Sequence, residues 1–158
     1  MQADDYFAIQ NLVFRYALCL DHGDFAGVGR LFGHAELYSM DRLVARSNSD
    51  LVEEIWRKHT RLYENGTPRC RHLVTNLIIE PDGVDRARAQ SYVVVIQQTR
   101  TLPLQPIVAG DYLDRFVKVE GHWRFAERRI GVEMFGDLSE HLLVPLTAPE
   151  RYRRPQEW

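Results

Sequence analysis

Two residues stand out by type and by place. His72 lies in the run Arg71–Glu80, RHLVTNLIIE. Read as a strand, the run puts His72, Val74, Asn76 and Ile78 on one side and Leu73, Thr75, Leu77 and Ile79 on the other. Both sides are largely apolar, as in a strand covered on both faces. An imidazole and an amide on such a face must find hydrogen-bond partners or line a wet pocket. Asp21 is the second. It falls in the last turn of a predicted helix, where the helix dipole disfavours a carboxylate by up to about 1 kcal/mol. Either the group is solvated at a helix end, or a carboxylate is wanted there for chemistry.

The elements that must position these residues can be read in order. Asp4 caps a predicted helix whose apolar residues Ile9, Leu12, Val13, Tyr16, Ala17 and Leu20 recur at helical spacing, and Gly23 stops it. Asp24 caps a short helix from Phe25 to Phe32. Two short strands, 34–40 and 43–46, join at Asp41–Arg42. Ser49 or Asp50 caps a longer helix to about Glu64, with Asn65-Gly66 and Thr67-Pro68 turning the chain into the His72 strand. Long strands follow: Val84 to Thr101, Ile107 to Glu120, and His122 to Met134, the last two a hairpin around Glu120-Gly121. A small capped segment, Asp137 to Leu143, closes the reading. Helices first and antiparallel strands after predict an α+β domain with helices on one face of a curved sheet. The expected division is one domain over residues 1–145 and a tail over 146–158.

Composition excludes several classes. The chain of 158 residues is 45% hydrophobic and 27% charged, an ordinary globular balance for one domain. A formal charge of −2 gives no electrostatic reason to expect nucleic acid or an anionic membrane. Arg151, Arg153 and Arg154 make a small basic tail, read as solvated or as a subunit contact. No apolar run is long enough to span a bilayer, and MQADDYFAIQ lacks a signal's basic flank and apolar core, so a cytoplasmic location is expected. Cys19 and Cys70 form no CxxC pair and read as small buried hydrophobes. There is no GxGxxG, no phosphate loop and no GxSxG, and the six histidines show no HxH or HExxH spacing. The expectation is therefore chemistry by side chains alone, with no metal and no cofactor.

Three stretches in order carry a resemblance. YALCLDHGDFAGVGRLF (Tyr16–Phe32), RHLVTN (Arg71–Asn76) and GDYLDRFVKVEGHWRFAERRI (Gly110–Ile130) together resemble the SnoaL-like branch of the nuclear-transport-factor-two-like, or cystatin-like, superfamily. The resemblance extends from about Asp4 to Leu143. It implies a cone: a strongly curved antiparallel sheet wrapped around N-terminal helices, with a deep apolar pocket. It implies a catalytic pair at Asp21 and His72, the two residues already singled out. Tyr16 matches an assisting tyrosine, although on a regular helix it points about 140° away from Asp21. Asn76, on His72's predicted face, and an arginine from the last hairpin are further substrate-binding candidates. Of Arg128 and Arg129, Arg128 is chosen because it alternates with Ala126, Ile130, Val132 and Met134, leaving Trp123 and Phe125 on the other face as packing residues.

What the resemblance implies for function is a cofactor-independent lyase, dehydratase-like, acting on a small hydrophobic cyclic, polyketide, terpenoid or steroid-like substrate. An isomerase or cyclase would use the same base. A non-catalytic subunit resembling the β subunits of ring-hydroxylating dioxygenases is the rival. A homo-oligomer is expected, a trimer ahead of a dimer.

Overall fold

Residues 1–145 of the computed structural model are described here; the predicted basic tail lies outside them. Helix α1 (Ala3–Asp21) starts ahead of the expected Asp4 cap, because the Asp5 carboxylate accepts the Gln2 amide at 2.9 Å. Its buried side is Ile9, Val13, Tyr16, Ala17 and Leu20, joined at the last position by Asp21. Gly23 ends it at φ +71°, and a Cβ there would stand 2.4 Å from the Gly66 carbonyl oxygen. Only glycine meets both demands.

Helix α2 (Phe25–Leu31) is capped by Asp24, whose Oδ1 accepts the Gly27 amide at 2.8 Å. Strands β1 (Glu36–Ser39) and β2 (Arg42–Arg46) turn at Met40 and Asp41, both in the left-handed region. Helix α3 (Ser49–His59) is capped by Asn48, not by Ser49 or Asp50. It ends before Glu64 because Thr60 leaves the helix to form a β-bridge with Leu142. Four long strands follow: β3 (Cys70–Pro81), β4 (Arg86–Gln97), β5 (Gln105–Val119) and β6 (His122–Phe135).

The six strands form one curved, unclosed sheet in the order β2-β1-β6-β5-β4-β3. It is mixed, which corrects the expected all-antiparallel sheet: β1 runs parallel to β6, and every other pairing is antiparallel. The helices lie on the inner face, where α1 contacts both β3 and β6. Tyr16, Phe32, Phe116 and Phe125 are buried there in a chain of ring contacts at 4.9–5.8 Å.

Of the five register shifts in the sheet, two decide which way the candidate site residues face. In β3, Thr75 pairs with Tyr92 but Ile78 with Gln90, so Asn76 and Leu77 stand against Ser91 alone. Asn76 takes φ +53° to make this possible. In β6, Phe125 pairs with Phe116 but Glu127 with Arg115, leaving Ala126 as the extra residue.

Candidate active site

The end of α1 brings the Asp21 carboxylate to the start of β3. His72 Nδ1 lies 2.7 Å from Asp21 Oδ1, and the His72 backbone amide donates to both carboxylate oxygens at 3.1 Å. Cys70, two residues earlier and on the same face, directs its thiol at Oδ1 at 3.6 Å. These donors replace the water a carboxylate at a helix C-terminus would otherwise keep, and both side chains are nearly buried, at 6% exposure for Asp21 and 8% for His72. With Nδ1 committed to Asp21, Nε2 is the ring nitrogen left for a ligand; it makes no hydrogen bond among the described residues. Burial beside the Asp21 carboxylate pushes the Cys70 thiol up to about 12, so it is protonated.

Arg128 fills the inner face further along. It is fully buried, its guanidinium held by Asp114 through two contacts of 2.7 Å. The rings of Tyr16 and Tyr112 lie on it at 4.2 Å each, and Phe125 at 4.8 Å. Burial opposes its charge, but the neighbouring Asp114 carboxylate more than offsets this and keeps it protonated. Nη1 of Arg128 and the Tyr16 hydroxyl are buried without a hydrogen-bond partner among the described residues.

Arg128 therefore faces inward and the partly exposed Arg129 holds Glu127, but the face argument needs correction. The bulge at Ala126 puts Trp123, Phe125 and Arg128 on the same inner face. Asn76 is also corrected. The bulge that contains it shifts the alternation by one, so Leu77 and Ile79 follow His72 and Val74 inward while Asn76 is exposed. Tyr16 lies inside the cone, against Arg128 rather than against Asp21.

The sequence reading passed over His141. It sits on the segment after β6, a strap tied down by the Arg61 amide to the His141 carbonyl at 2.8 Å and by Tyr63 Oη to the Glu140 carbonyl at 2.6 Å. The expected cap at Asp137 forms with Ser139, but Glu140 serves Tyr63 instead. His141 is 8% exposed and its Nδ1 has no partner among the described residues. Burial first, then the nearby His72, pulls its ionisation down to about 4, with Asp21 opposing. No periodicity marks such a residue. Cys70 could have been found by counting two back from His72. Asp114 could not, since counting from the hairpin turn pairs Arg128 with Leu113 until the bulge is known.

The deep apolar pocket expected beside the pair is not what the inner face holds around Arg128, where Tyr16, Phe32, Tyr112, Phe116 and Phe125 are close-packed. The described residues do form an apolar cavity of about 490 Å³ between the end of β6 and the strap. Its lining includes Leu138, Leu142 and Leu143, which flank His141.

The chain belongs to the SnoaL-like domain family, whose model matches residues 1–129. Solved structures agree on the fold. A scytalone-dehydratase-like protein from Novosphingobium aromaticivorans is 23% identical, with a TM-score of 0.70 over 97% of this chain and 96% of that one. A protein of unknown function with a cystatin-like fold from Nostoc punctiforme is 21% identical, with a TM-score of 0.69 over 84% and 94%. A protein of the aromatic-ring-hydroxylating dioxygenase β-subunit type, also from Novosphingobium aromaticivorans, is 21% identical, with a TM-score of 0.65 over 84% and 92%. None of the curated proteins matches the chain.

Proposed function

We propose that the protein is a cofactor-independent lyase of the dehydratase kind, with Asp21 and His72 as its general base. The observation that carries this reading is the 2.7 Å contact between His72 Nδ1 and a nearly buried carboxylate. Asp21 fixes the tautomer with the proton on Nδ1, so Nε2 presents its lone pair to substrate. Nε2 takes a proton from a carbon next to a carbonyl, the imidazolium formed is stabilised by Asp21, and that Nε2 proton then passes to the hydroxide leaving the neighbouring carbon, which departs as water and restores the neutral imidazole. The Tyr16 hydroxyl and Arg128 Nη1, buried among close-packed rings, are the donors that would meet the substrate oxygen once those rings part. The substrate class proposed is a small cyclic or polyketide-, terpenoid- or steroid-like compound; the apolar cavity beside the strap is lined by residues that flank His141, not by Asp21 or His72. An isomerase or cyclase would draw on the same base.

The two free cysteines suit a reducing compartment such as the cytoplasm. We assign the outer sheet face, where Leu73 and Ile78 are 45% and 50% exposed, to contacts within a homotrimer. A scaffold subunit of the dioxygenase β type would use that face too, but would have no need for an acid–base pair in its interior.

The test is turnover of a panel of cyclic β-hydroxy ketones. His72→Ala and Asp21→Asn should each lower it by about 10²–10⁴. Near-full activity in both would end the reading.

A further inference from the structure

Proton transfer uses only part of the cluster at the start of β3. Cys70 Sγ, a His72 ring nitrogen and an Asp21 carboxylate oxygen all lie within 4.8 Å of one another, and it is His72 Nδ1 that faces Asp21 Oδ1. Cys70 and His72 are two residues apart on one strand and so share a face; Asp21 arrives from the end of α1. Thiolate, imidazole and carboxylate are the donors of tetrahedral zinc, with bonds of about 2.0–2.3 Å. Three donors from the protein leave the fourth position of a tetrahedral ion to water or another small ligand.

We propose that Asp21, Cys70 and His72 bind one zinc-like divalent cation, and that the occupied site is the inhibited form of the protein. No local sequence spacing marks this set, because it is gathered from a helix end and a strand.

The exchange balances. The ion takes the place of the proton between His72 Nδ1 and Asp21. That proton is replaced by one on Nε2, so the imidazole stays neutral, and Cys70 loses its thiol proton to solvent. One proton is released for each ion bound. Two positive charges then meet one carboxylate and one thiolate, so the buried site is neutral overall. A histidine with Nδ1 on the metal and a proton on Nε2 has no lone pair left for substrate. Binding therefore excludes base catalysis; this inhibitory half rests on the proposed function, whereas the binding half does not.

The experiment titrates the full, chelator-treated chain with Co²⁺ and then displaces it with Zn²⁺. A saturable spectrum at one equivalent is expected, with tetrahedral visible bands and a thiolate-to-cobalt charge-transfer absorption. Cys70→Ser should abolish the charge-transfer band and weaken Zn²⁺ binding at least about tenfold. Cys19→Ser should change neither, because Cys19 lies beside Asp24, away from the cluster. NMR of the His72 ring nitrogens should show Zn²⁺ moving the ring proton from Nδ1 to Nε2. Circular dichroism checks each fold, with Cys70→Ala as the second variant should the serine unfold the strand. No saturable spectrum, or one unchanged by loss of Cys70, overturns the site. Turnover that survives His72→Ala would end the base reading alone and leave the cobalt result standing.

Discussion

Three kinds of donor meet on the Asp21 carboxylate: a backbone amide, an imidazole and a thiol. That convergence explains why a charge disfavoured by its own helix persists in a nearly buried place. The Arg128–Asp114 pair obeys the same rule deeper in the cone, where both side chains are sealed from water. Removing one member leaves the other charge unpaired. Arg128→Met should therefore cost about 3–5 kcal/mol in chemical denaturation, and replacing both members with apolar residues should cost less than either single change. Equal or greater loss in the double variant would contradict the assignment of the cost to the orphaned charge.

Helices and strands were largely legible from apolar spacing and caps; side-chain faces were not, and the two bulges are the reason. Asn76 and Ala126 each add one residue that alternation cannot foresee, because a bulge is set by pairing with a distant strand. Asn76 pays a conformational cost at φ +53° that glycine does not. Asn76→Gly should leave stability nearly unchanged, whereas the β-branched Asn76→Val should lower it by about 1–3 kcal/mol in urea melts. The start of α1 is held across the fold in a comparable way. Asp5 accepts Lys118 Nζ at 2.7 Å, the Gln2 amide at 2.9 Å and Trp123 Nε1 at 2.8 Å. The Lys118 contact first, then Gln2 and Trp123, hold the Asp5 carboxyl well below the usual carboxylate range. A depressed acid adds stability above its unfolded value near 4 that disappears as pH falls through the folded one. The Tm gap between the native chain and Asp5→Asn should thus be widest at neutral pH and shrink steadily in acid.

At the scale of the molecule, only the inner face of the sheet is covered within one chain. Leu73 and Ile78 remain open on the outer side of β3, which is also an edge strand. Replacing both with lysine should convert the proposed trimer to monomers by light scattering, with little change in the monomer's fold; an unchanged mass would place the subunit contact elsewhere. The pair itself was readable because an acid and an imidazole stood where stability alone would not put them. The strap was not readable: its attachments run from His141 to Arg61 and from Glu140 to Tyr63, contacts across the whole fold.

The most direct test of the Asp21–His72 pairing is a double-mutant cycle in kcat/KM. If the carboxylate acts only through the imidazole, the double variant Asp21→Asn with His72→Ala should be no slower than His72→Ala alone. Losses that multiply would show that the two side chains act independently, and would contradict the account.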